Sequence, residues 1–308
     1  MKGAFKNLVH AQWTEKIAVD DISFTMQEGE SLACIGENGA GKSTLIKMLV
    51  GILNPTGGSI KVYGKNPMEH HREYLRKISV LFGQKSNLWI DIPVIESYNA
   101  VKVLYKLDEN EFKKNMDMVI SLLDLAPILS SPARKLSLGQ RVKADIGMIF
   151  LHSPSILYLD EPTIGLDINI RQTIRHFLRE MNREKGASIF LTSHDLDDID
   201  QISDTALVLS KGKIYYHNTL DSLKMRYASR KVIHISGSTT GDVKSMLPDA
   251  AVFVDGQKTR MEYEADDYTP EEILSAISKC FDIEDISIQE PDIDQVVTKI
   301  FAEGQSYP

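Results

Sequence analysis

The hydrophobic positions of this 308-residue chain change period several times, and the changes divide it. Near the N-terminus "AVDDISFTM" alternates apolar and polar residues up to Glu28-Gly29-Glu30. Period two predicts antiparallel strands with a turn in residues 1–30. "SLACIG" is a short apolar strand, followed by a glycine-rich loop and by "KSTLIKMLVGIL", whose apolar residues recur at helical spacing. "NPTGG" stops that helix with proline and glycine. "SIKVYG" and "ISVLFG" predict two more strands.

From about Pro93 to Leu129 the spacing is helical, in "VIESYNAVKVLYKL" and "EFKKNMDMVISLLDL", which predicts a helical insertion. "SILYLD" and "ASIFLTS" are continuous apolar runs, each followed by a helical stretch. They predict buried parallel strands in an α/β unit that closes near "DTALVLSKGKIYYHN". A second unit begins near Ser229. "KVIHISG", "AAVFVDG", "RMEYEAD" and "IEDISIQEP" are its strands. "GDVKSMLP" and "TPEEILSAISKCF" are its helices, the latter with Thr269 as N-cap. The order βαββαβ is the ferredoxin-like pattern, and "DIDQVVTKIFA" predicts one more helix after it.

Composition narrows the function classes. Apolar residues are 43 % and charged residues 25 %, an ordinary globular balance. A net charge of −8 argues against a nucleic-acid partner, which calls for a basic surface. Cys34 and Cys280, far apart in apolar settings, predict buried thiols. No run of about 18 apolar residues occurs, and the N-terminal segment lacks the apolar core of a signal peptide. The expected compartment is therefore the cytosol.

Three segments carry chemistry. "GENGAGKST", Gly36 to Thr44, fits the phosphate-loop pattern G-x-x-x-x-G-K-[ST]. Its glycines let successive backbone N–H groups face one anion, and the helix that follows adds its positive end. Gly36, Asn38, Gly39, Ala40, Gly41, Lys42, Ser43 and Thr44 are the expected phosphate contacts. Lys42 reaches the β- and γ-phosphates, and Ser43 is a Mg²⁺ ligand. "ILYLDE" ends an apolar strand on two carboxylates. Asp160 is expected to hold Mg²⁺. Glu161, one residue on and facing the other way, is expected to polarise an attacking water. In "KLSLGQRVKADIGMIFL", Ser137 N-caps a helix and forms with Gly139 a second anion site. One nucleotide does not need two such sites in one domain, whereas two chains lending one site each do.

On these residues the chain resembles the ABC ATPase family. Leu136-Ser137-Leu138-Gly139-Gln140 is similar to the family signature L-S-G-G-Q, with Leu138 in place of the first glycine. The resemblance spans about residues 1–225, with a helical subdomain near 90–150, and leaves 229–308 as an accessory domain. It implies an antiparallel β subdomain, a parallel-sheet core and a helical subdomain that meets the membrane subunits. Gln84 is then the Q-loop glutamine, serving Mg²⁺ and water. Asp167 in "EPTIGLD" lies in the D-loop, and His194 in "FLTSHD" is the switch histidine. Trp13, 23 residues before Gly36, stacks on adenine.

The resemblance further implies an ATP- and Mg²⁺-dependent ATPase that pairs head to tail with a second ATPase subunit, as homodimer or heterodimer. It would drive transmembrane permease subunits from the cytoplasmic face. "FGQKSNLWIDIPVIESY" and "EPTIGLD" are closest in kind to bacterial exporters with type-2 membrane subunits. The alternative is a non-transport ABC ATPase acting on nucleic acid or ribosomes. Against it, the 124 residues from Gly36 to Asp160 hold one cysteine-free ordinary insertion after the loop strand, and the chain carries a single ATPase unit.

Overall fold

The computed structural model describes residues 17–83, 85–227, 230–264 and 267–289. Among them are two sheets, each described by itself.

The first sheet is built from β1 (Ser31–Ile35), β2 (Ile78–Phe82), β3 (Ile156–Asp160), β4 (Ser188–Thr192), β5 (Thr205–Ser210) and β6 (Lys213–Thr219). Its order is β2-β3-β4-β1-β5-β6. The first five strands run parallel, and β6 returns antiparallel against β5. Every residue of β1, β3 and β4 is buried, as continuous apolar runs covered on both faces require. Leu32 and Cys34 pack with Leu45, Ile46 and Leu49 of helix α1 (Lys42–Leu49), while Ala33 and Ile35 face the opposite way. Leu157, Leu159, Ile189 and Leu191 pack on the helices of the other layer. Side chains such as Phe190 and Leu159, almost wholly buried here, each contribute roughly 2–3 kcal/mol by leaving water.

That layer holds α3 (Val94–Tyr105), α4 (Glu109–Leu122), α5 (Leu138–Phe150) and α6 (Ile168–Lys185). Three of them fill the expected helical insertion. Asp108 caps α4 by accepting from Asn110 and Glu111 N–H. Tyr98 Oη of α3 donates to Ala144 O of α5 at 2.8 Å, which fastens the two helices. The short helices α2 (His71–Leu75), α7 (Leu196–Ile202) and α8 (Leu220–Tyr227) complete this unit.

Residues 1–16 of the expected N-terminal strands lie outside the described residues, and one other expected strand takes another form. Residues 17–30 join no ladder among the described residues. Their alternation survives as burial, with Ile22, Phe24 and Met26 packed on the core and the residues between them exposed. "SIKVYG" shrinks to a two-residue hairpin closed by Val62 and Lys65. Tyr63 and Gly64 both have positive φ (50° and 73°), which turns the chain before a longer strand forms.

The second unit follows the expected βαββαβ order. It comprises β7 (Arg230–Thr239), α9 (Val243–Met246), β8 (Ala251–Asp255), β9 (Lys258–Glu264), α10 (Pro270–Cys280) and β10 (Phe281–Gln289). The sheet order is β10-β7-β9-β8, all antiparallel. Thr269 and Glu272 form a reciprocal capping box on α10. Ile233, Ile235, Met261, Ile273 and Ile277 form its core. The helix expected from "DIDQVVTKIFA" lies outside the described residues. Cys34 and Cys280 are both free and buried, as expected.

Candidate active site

The carboxyl ends of β1, β3 and β4 lie side by side, because β4 sits between the other two. This edge, beside the point where strand order reverses about β1, is where open α/β sheets place ligands. Each strand delivers one piece of the site.

From β1 the chain enters the loop 36–41 and then α1. Gly36 is glycine for lack of space: a Cβ there would lie 2.2 Å from Leu209 O. Gly41 carries φ 112°, and a Cβ on it would lie 2.4 Å from Ala18 O. Gly41 is also the N-cap of α1, so no side chain caps this helix. Glu37, Asn38 and Gly39 are exposed, while Ala40 is buried and its carbonyl accepts from Gly212 N–H at 2.9 Å. Lys42 is buried, and Nζ donates to Gly36 O at 2.5 Å and Glu37 O at 3.2 Å. The ammonium is thus held inside the curl of the loop. Ser43 is exposed on the first turn and Thr44 half-buried.

From β3 come the two carboxylates. Asp160 is buried, and its Oδ1 accepts from Thr192 Oγ1 at 2.7 Å. Glu161 lies beyond the strand, not on its pleat as the sequence suggested. Its backbone is left-handed (φ 54°), and its N–H donates to Thr192 O at 3.0 Å. The turn, rather than strand alternation, separates the directions of the two carboxylates. From β4 comes His194, whose Nδ1 lies 2.6 Å from Glu161 Oε2. Cys34, one residue short of the end of β1, reports on the field here. Burial pushes its thiol up to about 12, Lys42 acts against that and Asp160 with it. Both charges therefore act on one buried point, and the thiol is a packing group rather than a nucleophile.

The signature segment stands at the start of α5. Ser137 Oγ accepts from Gln140 N–H at 3.3 Å, and Gln140 Oε1 accepts from Ser137 N–H at 3.0 Å, a complete capping box. Gly139 is buried against α6: a Cβ would meet Ile170 Cδ1 at 2.0 Å. Leu138 packs near Gly165 and on the core, which accommodates the departure from the signature glycine. Asp167 N-caps α6 by accepting from Ile170 N–H at 3.1 Å. Trp13 and Gln84 lie outside the described residues.

Sequence reasoning missed two sets of groups. One is Asp145, buried in α5, whose Oδ1 accepts from Asn87 N–H (2.7 Å) and Leu88 N–H (3.1 Å). Burial raises its carboxyl, against the pull of those hydrogen bonds and of Arg141. It pins the segment after Gln84 to the signature helix. The other is a cluster of Arg171, Arg175, Asp195 and Asp198 beside His194. No spacing rule finds either, because the partners are separated by 20 residues or more.

Ser43 and Asp160 offer only oxygen donors, which fits a hard divalent cation such as Mg²⁺. The glycine-lined loop, with a lysine already folded into it, fits a polyphosphate.

A family model described as "ABC transporter" matches residues 19–164. The ATP-binding protein NatA of Bacillus subtilis is 31 % identical over 206 residues, covering 67 % of this chain and 83 % of the relative. The bacitracin transport ATP-binding protein BcrA of Bacillus licheniformis is 31 % identical over 220 residues, covering 68 % and 67 %. A solved structure described as the ATP-binding subunit of an ABC transporter superposes with a TM-score of 0.63 at 28 % identity, covering 70 % of this chain and 89 % of that one.

Proposed function

Because this chain belongs to the ATP-binding family of ABC transporters, we propose that it powers substrate export by separate permease subunits, working as a head-to-tail dimer on the cytoplasmic face of the membrane. The observation that carries the catalytic part is the 2.6 Å contact of Glu161 with His194 beside the buried Asp160.

In this reading the loop 36–41 and the first turn of α1 hold the phosphates. Lys42 exchanges its loop carbonyls for β- and γ-phosphate oxygens. Glu161 accepts a hydrogen bond from water as it attacks the γ-phosphorus, and takes its proton as the bond to the β–γ bridging oxygen breaks. His194 orients the Glu161 carboxylate and faces the γ-phosphate. Ser43 and Asp160, with Gln84, hold Mg²⁺, which when bound neutralises charge on the phosphate oxygens. Trp13 stacks on the adenine. Ser137, exposed at the start of α5, serves the nucleotide held by the other subunit together with Gly139 and Gln140, and Asp167 lies at that junction.

No helix among the described residues is long and apolar enough to cross a membrane. Trp89 and Ile90 are exposed apolar residues in the segment that Asp145 ties to α5. They support a permease docking groove at residues 85–98. The unit from 229 onward, ferredoxin-like in its element order, is read as a dimer-stabilising domain.

The test is ATP hydrolysis by the wild type and Glu161→Gln, with subunit pairing followed in ATP. The expected loss is about 10²–10³-fold in turnover, with an ATP-trapped dimer in the mutant. Wild-type turnover in Glu161→Gln would remove Glu161 from the role.

A further inference from the structure

We propose that Arg171 is a positioning residue for the Glu161–His194 pair, acting through Asp195. The proposal rests on the roles just given to Glu161 and His194. The imidazole of His194 is 61 % exposed, so little packing fixes it. Its place depends on the backbone of residues 193–198, and that backbone is held by charge.

Arg171, in the first turn of α6, reaches two ways. Its Nε donates to Leu166 O at 2.9 Å, and its Nη1 donates to Asp195 Oδ2. The other oxygen of Asp195 accepts from Arg175 Nη2 at 3.0 Å. Asp195 also caps α7, accepting from Asp198 N–H at 3.3 Å. A second leg runs deeper. Arg175 is 4 % exposed, and its Nε donates to the fully buried Asp198 at 2.5 Å. Asp198 accepts in turn from Thr163 Oγ1 and from Ser193 Oγ.

The segment that starts at Glu161 is therefore gripped at Thr163 and Leu166. The segment that carries His194 is gripped at Ser193, Asp195 and Asp198. Two guanidiniums stand between them, and the reacting contact lies at the open end of this frame. The buried pair Arg175 and Asp198 and the half-buried pair Arg171 and Asp195 balance in charge and are hydrogen-bonded, with the exposed Asp197 3.8 Å from Arg175, so the cluster is tolerable without being a strong source of stability. Its yield is geometry. A planar guanidinium can serve Leu166 O and Asp195 at once, and an ammonium has no equivalent fork. Arg171 is about one-third exposed, so replacing it opens no buried cavity and leaves Asp195 its bond to Arg175.

The experiment compares wild type, Arg171→Lys, Arg171→Gln, His194→Ala and the double variant Arg171→Gln/His194→Ala, all full length. It measures kcat, KM and affinity for a non-hydrolysable ATP analogue. Arg171→Gln is expected to lower kcat by about tenfold, with analogue affinity within about twofold, since misplacing a reacting group by a fraction of an ångström costs that much. Arg171→Lys should recover only part, because the charge returns without the fork. In the His194→Ala background Arg171→Gln should cost almost nothing more. Unchanged kcat in Arg171→Gln, or full recovery by lysine, overturns the proposal. So does an equal loss with and without His194, which would mark a general structural role. Wild-type turnover in His194→Ala would instead remove the underlying assignment of His194, and the proposal with it.

Discussion

Helices α1 and α5 each carry an N-terminus for which the sequence predicts an anion, yet the two ends are finished in opposite ways. Helix α1 begins on Gly41, which has no side chain to offer its first-turn N–H groups. Helix α5 begins on Ser137, whose side chain and that of Gln140 satisfy each other's backbone N–H groups. The first end carries no side-chain cap from its N-cap residue, and glycine is what keeps it so. The second has its Ser137 and Gln140 N–H groups already taken by the capping box, and an anion there must compete with the cap.

The largest expected effect comes from filling the first end. Gly41→Ala forces a side chain into φ 112° and toward Ala18 O. A loss of about 3 kcal/mol is expected in denaturant titration, with analogue binding abolished. Normal binding in that variant would break the comparison at its stronger side.

The far end of α5 gives the next test. His152, just past the helix, is buried, stacked on Tyr105 at 3.9 Å and hydrogen-bonded to Ile78 O at 3.2 Å. Burial lowers its pKa from 6.5 to about 4. Above pH 6.5 neither the folded nor the unfolded chain protonates it, and its full contribution is present. As pH falls from 6.5 toward 4 only the unfolded chain takes up the proton, and stability drops by up to about 3 kcal/mol. Comparing urea midpoints of wild type and His152→Gln at pH 7.5 and pH 4.5 isolates this slope; parallel slopes would refute it.

The smallest effect belongs to the cap itself. Ser137→Ala should cost about 1 kcal/mol in thermal unfolding. Analogue affinity of the isolated chain should stay unchanged, while ATP-dependent pairing weakens. A fall in monomer affinity like that of Gly41→Ala would erase the distinction between the two ends.

These two ends also show why parts of the site were legible in the sequence and parts were not. The phosphate loop needs contiguous residues, so Gly36 to Thr44 announce it. Buried parallel strands need unbroken apolar runs, so "SLACI", "ILYLD" and "SIFLT" announce themselves. The Ser137 cap also acts within a few residues and reads as an N-cap, whereas the return bond from Gln140 emerges only in the structure. Arg175 and Asp145 do not, because a buried charge in a helix looks like one on a solvated face until its distant partner is known. Arg175 meets Asp198 across 23 residues, and Asp145 meets Asn87 across 58. Residues 17–30 show the complementary case: alternation told which side chains are covered, while among the described residues the stretch joins no ladder.

The left-handed backbone of Glu161 has a consequence for how this protein evolves and can be engineered. A non-glycine residue in that region costs about 1 kcal/mol relative to glycine. A screen for heat resistance that ignores turnover would therefore favour glycine at this position and discard the carboxylate. On the role proposed for Glu161, the chain carries the less stable choice there, and position 161 is where durability and work would pull the sequence in opposite directions.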